Sequence, residues 1–499
     1  MASIQHLPLE LKLNIFSYVY HPYDLHSLIS SCPELLHAFV PNRTRILSSL
    51  LKAVILPGAL HHALFASQEI DASVSGDSFV EYTQDLLENY FSPDTIVDLP
   101  TDTLGLIRLS RLYSQVSRLI DGYVCQAARR ISGDDDPPWH DPAGQIPEGF
   151  APLSSNERTR LQRAFFRHEL YSRQLRRYDC SEQYELFVRR LFPWEIEEMS
   201  CVYYYFAFLA RGVFGELEDE LVRAVTMAPG ARKMDDTEPL LLEPVVRCER
   251  CHDQYRPSSD GLTGVGPGTV RVEDDDEGSN DGGEDQMVRF DKLHIWELDL
   301  FEREDESGGR VSSGHYIPYL ICRMAAIDVG SMTHLVGADV NERKNILREG
   351  IHLLGDKTLP DTISYAISSR HNEGGDRTTE GWVGDDPSHY TLGYHLFTSS
   401  RWFANSYRAM SGTHTPLMYR PRREMGYVFW DAERIESPIV KEALERPDDK
   451  VWVRAQVKNR ARLGKSVEKR LERFTLPRRE MAKIAAKFGG FTIPHECEW

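Results

Sequence analysis

Apolar positions recur at helical spacing in three bursts over the first forty residues. Leu11, Ile15 and Val19 lie four apart and share one helix face, which Leu9 and Phe16, seven apart, widen. Pro8 suits the first turn, where a missing N–H costs nothing. Pro22 stops this helix, because proline cannot continue the hydrogen-bond ladder. Asp24 is the expected N-cap of a second helix carrying Leu25, Leu28, Ile29 and Cys32 as one stripe. Pro33 restarts the pattern with Leu35, Leu36 and Phe39. Three short apolar helices in so little chain cannot all hide their stripes on one another. The segment needs the rest of the protein or a partner.

The helical period continues beyond this segment. Leu112, Val116, Leu119, Ile120, Tyr123, Val124 and Ala127 predict a long amphipathic helix between about Thr101 and Arg130. Residues 132–152, rich in proline and glycine with an Asp134–Asp136 run, read as a linker. A second helical block opens at Leu153, with Ser or Asn as its cap. Leu161, Ala164, Phe165 and His168 share one face of it, with arginines at 158, 160, 163, 167 and 173. Pro193 starts a further helix with acids in its first turn, where the helix dipole favours them. Cys201 to Leu209 is intensely aromatic and reads as core. The pattern then breaks. Residues 227–290 contain Glu273–Glu277 and further acids with no base between them, and read as a disordered acidic loop. The last segment is mixed and mainly helical. Its end is basic, with Arg460, Arg462, Lys465, Lys469, Arg470 and Arg473 expected on a helix. The fold class expected is therefore mainly α.

Composition changes this picture little. The chain has 499 residues, 41% hydrophobic and 27% charged, ordinary values for a globular protein of two or three domains. A net charge of −18 argues against general nucleic-acid binding, which needs a basic surface to displace counterions. No apolar run reaches membrane-spanning length, and the N-terminus has no secretory pattern. The expected location is cytoplasmic, nuclear or both, where scattered cysteines stay reduced.

Candidate chemistry is sparse. Cys248-Glu249-Arg250-Cys251-His252 has the C-x-x-C-H spacing of covalent haem attachment, and it is also half of a zinc site. A second ligand pair is missing, so an incidental pair ranks above zinc and zinc above haem. Gly261, Gly264, Gly266 and Gly268 lack the preceding strand and following Gly-Lys of a phosphate loop. Nucleophile elbow, zincin and kinase signatures are all missing. No cofactor, no metal and no catalytic residue is expected, and a non-enzymatic role is favoured.

The N-terminal order is specific. Leu7-Pro8-x-Glu10-Leu11, Ile15-Phe16-x-Tyr18, Asp24-Leu25 and Cys32 before Leu35 resembles the hydrophobic skeleton of an F-box. Leu153-Ser154 with Glu157-Arg158, Arg163-Ala164-Phe165, Arg167, Tyr171 and Phe192-Pro193-Trp194-Glu195 resembles the middle of a large group of filamentous-fungal F-box proteins. Met425 to Asp431 with Glu433-Arg434 resembles their C-terminal segment. The resemblance implies a substrate-recognition subunit of an SCF-type ubiquitin ligase. Its partners would be the Skp-type adaptor, the cullin complex and a protein substrate. It also implies adaptor binding by Leu7, Pro8, Leu9, Glu10, Leu11, Ile15, Phe16, Tyr18, Leu25, Leu28 and Cys32. The alternatives are a helical scaffold whose F-box-like start is only structural and, at a distance, a metal or haem enzyme centred on Cys248. The expected organisation is an F-box-like domain over 1–45, a helical region over 46–131, the linker over 132–152, a helical region over 153–226, the acidic loop over 227–290 and a C-terminal region over 291–499. Trp194 to Phe208 and Tyr427 to Trp430 are the aromatic candidates for framing a substrate surface, although core is the commoner role of such side chains.

Overall fold

The computed structural model describes residues 4–68, 77–92, 98–133, 146–147, 150–175, 178–234, 287–289, 324–339, 341–343 and 420–445, with short pieces at 346, 359, 362, 471, 474–477, 479–480 and 483–484. It is mainly α. Two compact units divide the chain. One joins Met1–Val213 with Gly314–Val453, the other Phe214–Ser313 with Arg454–Trp499. They cut across the six segments expected from the sequence.

The first unit opens with α1 (Leu9–Ser17), α2 (Pro22–Ser31) and α3 (Pro33–Val54). α1 stops at Ser17, with Tyr18 as its C-cap, short of Pro22. Pro22 occupies the first turn of α2, and the cap is His21, whose side chain accepts from the Tyr23 N–H, instead of Asp24. Nor does α3 stop near residue 45. It runs through Pro41 to Val54, burying Ile46, Leu47, Leu50 and Leu51 in its second half. α1 and α2 pack on the first half of α3, and α2 and α3 also pack on α6.

α4 (Pro57–Ala66), α5 (Asp77–Phe91), α6 (Thr103–Ile131), α7 (Ser155–Gln174) and α8 (Cys180–Leu186) follow. α6 matches the expected long helix, and the Asp102 side chain caps it by accepting from Gly105 N–H. Most side chains from Leu119 to Ala128 are buried, as expected for a helix surrounded by others. α7 starts with a capping box, in which Ser154 and Glu157 satisfy each other's backbone N–H groups. α4 lies along α7, and the helix Val329–Gly337 packs on both α6 and α7. The short helices Arg420–Glu424 and Pro438–Glu445 pack on α6, and the turn Tyr427–Phe429 packs on α7.

α9 (Pro193–Thr226) is the longest described helix, and its residues to Val213 belong to the first unit. Met199 and every residue from Cys201 to Ala210 are buried, so the aromatic run is core. The turn Tyr427–Phe429 and Trp430 are buried as well. These segments frame no surface.

The second unit holds strands β1 (Arg232–Lys233), β2 (Met287–Arg289) and β3 (Phe474–Pro477) in the antiparallel order β1-β3-β2. Arg232 faces Thr475, and Val288 faces Leu476. The sheet corrects the expected 227–290 loop at both ends, because each end contributes a strand. Residues 235–286 of that loop, with Cys248, Cys251 and His252, lie outside the described residues, as do 446–470 of the basic end. Leu221, Val222 and Val225 of α9 form a small core with Leu471, Leu476 and Ile484. Gly230 turns the chain into β1 at φ 78°, where a Cβ would come within 2.8 Å of Pro477.

The first unit is held by buried ion pairs as well as apolar packing. On α7, Arg163 and Arg167 both pair with Glu198 of α9, at 2.5 and 3.1 Å, and Arg167 also pairs with Glu195. Arg423 grips Glu197 through two hydrogen bonds of 2.7 and 2.8 Å and lies 5.1 Å from the Tyr204 ring centroid. Removing one member of such a set leaves an uncompensated buried charge. Glu198→Ala should therefore destabilise the unit by about 3–5 kcal/mol in denaturant unfolding. Glu185→Gln breaks only an exposed pair with Arg189 and should change stability by less than about 0.5 kcal/mol.

Candidate functional site

Apolar surface concentrates on the N-terminal helices. Among the described residues, eight of fifteen exposed large hydrophobic side chains are Ile4, Leu9, Leu11, Tyr18, Tyr20, Tyr23, Leu36 and Val40. The other seven are scattered from Val80 to Ile439. Isolated exposed apolar residues are normal, but a cluster within one small module is a candidate surface of interaction.

The module's own core explains which side chains turn outward. Phe16 is 4% exposed and sits against Phe39, with ring centroids 6.1 Å apart. Leu25 of α2 and Leu35 and Ala38 of α3 are buried as well. With those side chains inside, Leu9 and Leu11 stay 49% exposed on α1. Tyr18, Tyr20 and Tyr23 cluster around the α1–α2 turn, all at least 67% exposed. Tyrosine suits such a place, because it offers a large apolar ring with few rotors to immobilise.

The expected site residues therefore separate. Pro8, Leu9, Glu10, Leu11 and Tyr18 are exposed, while Leu7, Ile15, Leu28 and Cys32 are half-buried. The Cys32 Sγ lies 3.4 Å from the Glu34 carboxylate. Phe16 and Leu25 are interior, so they hold the helices together and offer no surface. Ile4, Tyr20, Tyr23, Leu36 and Val40 belong to the exposed set and are not among the expected residues. Leu36 and Val40 are four apart on α3, a signal the sequence carried. Leu36 was expected in one stripe with its neighbour Leu35, yet adjacent helical positions point about 100° apart and only Leu35 is inside.

Two buried polar clusters lie elsewhere in this unit. Tyr90 of α5 shares its hydroxyl with His62 Nδ1 at 2.7 Å, and its carbonyl lies 2.7 Å from His61 Nε2. Burial pushes the Tyr90 phenol up to about 12. Burial, with Arg167 and Arg163 nearby, pulls His62 well below the usual histidine range. Neutral histidine and neutral tyrosine beside paired arginines form a packed network, not an acid–base couple poised near neutrality. The second cluster joins α7 to the helix Val329–Gly337. The Glu169 carboxyl accepts the Val329 N–H at 2.6 Å, and Arg173 lies 3.9 Å away. Asp328 caps the same helix by accepting from Ser331. His168, one residue before Glu169, is pulled down to about 4 by burial.

Among the described residues no group of three or more His, Cys, Asp or Glu side chains could hold a metal ion, and no helix is long and apolar enough to cross a membrane. No family model matches the chain, and neither the curated proteins nor the solved structures contain a match to it.

Glu169 gives the unit a pH dependence of known sign. Burial, reinforced by Asp328, pushes its carboxyl from the ordinary 4.5 up to about 8. A raised carboxyl stabilises the folded state most below its unfolded value. That stability is lost as pH climbs through the folded value. His62 and His168, pulled down by burial, add stability as pH rises toward the ordinary histidine range and oppose this loss there. Thermal unfolding midpoints should therefore fall between about pH 7 and pH 8, and Glu169→Gln should remove most of that slope. An unchanged slope in the variant would assign the dependence to another group.

Proposed function

We propose that the chain is the substrate-recognition subunit of an SCF-type ubiquitin ligase, docking on a Skp-type adaptor through its first three helices. The observation that supports this reading most is the exposed apolar set on α1, the α1–α2 turn and α3, in a module whose interior is already filled. Interface cores are enriched in aromatic side chains and poor in charge, and this surface has that character. In this reading the chain performs no chemistry. It holds a protein substrate close to the ubiquitin-carrying enzyme and raises the effective concentration of substrate lysines there. The body after α3, with a core closed by ion pairs, would carry the substrate. Work in the cytoplasm or nucleus, without nucleic acid, membrane or cofactor, goes with this role.

The test is capture of purified Skp-type adaptor by the full chain. Wild type should retain the adaptor. The pair Leu9→Ala with Leu11→Ala should weaken capture roughly tenfold or more while leaving the unfolding midpoint unchanged, since both side chains are exposed. Phe16→Ala serves as contrast. It should lower stability by about 3–5 kcal/mol, because it opens a cavity beside Phe39. A wild-type chain that never retains the adaptor would sink the reading and leave a helical scaffold.

A further inference from the structure

Two helices of the body face each other across a gap that their side chains do not fill. Gln115 and Arg118, three apart, share one face of α6. Gly330, His334 and Gly337, spaced four and three apart, share one face of the helix Val329–Gly337, which packs on α6. Glycine at both ends of that face removes the ridge of side chains that would seat in the facing helix. What remains is a shallow groove of about 430 Å³, lined chiefly by Gln115, Gly330, Thr333, His334, Gly337 and Glu342.

The floor of this groove is open backbone. A Cβ on Gly337 would meet nothing nearer than Arg118 Nη1 at 4.0 Å, so packing does not ask for glycine there. A Cβ on Gly330 would lie 3.6 Å from both Nε2 and Oε1 of Gln115, so the donor and the acceptor of that amide both stand over the glycine. The other polar groups already satisfy one another. His334 Nε2 lies 2.8 Å from the Glu342 carboxylate, and the Thr333 hydroxyl donates to the Val329 carbonyl. Arg343 donates to the carbonyls of Leu335 and Val336 near the helix end. Gln115 and the exposed Arg118 have no hydrogen-bond or ion-pair partner among the described residues.

A donor and an acceptor side by side, over backbone that no side chain shields, match the N–H and C=O of an extended peptide main chain. Gly330 and Gly337 are about 10 Å apart along the helix, the reach of about three extended residues. At the Gly337 end the unpaired Arg118 guanidinium is the complement of a carboxylate. We propose that this groove holds an extended acidic peptide of a protein substrate, its main chain on the Gln115 amide and an Asp or Glu side chain on Arg118. That the peptide belongs to a ubiquitination substrate rests on the proposed function; the peptide site itself does not.

The probe is a random peptide library displayed on phage and panned on the immobilised full chain. Selected peptides are then labelled and titrated by fluorescence anisotropy. They should share an acidic residue. Gln115→Ala and Arg118→Ala should each weaken binding roughly three- to tenfold, and Arg118→Glu should reject the acidic peptides altogether. Gly337→Leu, which fills open space, should abolish binding at an unchanged unfolding midpoint. Should that variant fail to fold, the Arg118 variants decide alone, because their side chain is exposed. Leu9→Ala with Leu11→Ala should leave peptide affinity as it was. A library that yields no binder would overturn the site. So would binders without an acidic residue, or binders indifferent to both Gln115→Ala and Arg118→Glu, which would sit elsewhere on the chain. Peptide binding by a chain that never captures the Skp-type adaptor would keep the groove and remove the proposed function. Adaptor capture by a chain that selects no peptide would do the reverse.

Discussion

One buried carboxylate holds together parts of the chain nearly three hundred residues apart. Glu157 is 1% exposed and accepts four hydrogen bonds. Ser154 N–H closes the capping box that starts α7. Asp431 N–H and two guanidinium nitrogens of Arg434 supply the rest, the latter both at 2.7 Å. Arg434 goes on to bind the carbonyls of Ala151 and Pro152, and it lies 4.4 Å from the Phe150 ring centroid. Helix start, linker end and C-terminal segment thus converge on one ion pair. Arg160 adds to the seam by donating to the Phe429 carbonyl and the Asp431 carboxylate. Burial would raise that carboxyl, but hydrogen bonds from Arg160 and Ser154 outweigh it and hold it below the usual range.

Such a seam constrains more than it stabilises. Buried ion pairs often contribute little net stability compared with apolar side chains, while each broken pair is costly. Their geometry admits one partner arrangement, so α7, α9 and the Met425–Arg434 segment have a single register. Gly426 is fitted to the same place. It sits at φ 70°, and a Cβ there would meet the Trp430 ring at 2.7 Å. The body therefore pairs these buried charges with one another. The N-terminal helices do the opposite and leave apolar groups outside.

The sequence announces the helices because their signals are local. The 3.6-residue period locates α6, and Ser154 with Glu157 locates the start of α7. The same motifs that carry the resemblance in the middle and end of the chain, among them Glu157, Arg163, Arg167, Glu195, Asp431 and Arg434, turn out to be the partners of the ion-pair seam. No single one of them names its mate, because charge pairing across long separations leaves no periodic trace. The β1-β3-β2 sheet was hidden for the same reason. Its strands have two to four residues and pair Arg232 with Thr475. On the N-terminal surface, the pattern marked which residues are apolar. Which of them turn outward depended on Phe16 and Leu25 taking the interior, and on how closely α2 and α3 approach α6.

α3 is shared between the N-terminal helices and the body. Its first half packs on α1 and α2, and its second half buries Ile46, Leu47, Leu50 and Leu51 further along. A helix of 22 residues is about 33 Å long; Pro41, which has no N–H to donate, removes one bond of the ladder between the two ends, but the helix continues through it. Whatever grips the first helices grips the body as a lever with a set angle, where a tether would let it swing. A tethered cargo samples a cloud of positions and its local concentration thins with linker length. A lever delivers its far end to one place, so reach and orientation become properties of the fold, and a residue inserted into α3 would rotate the far end by about 100° without touching either surface.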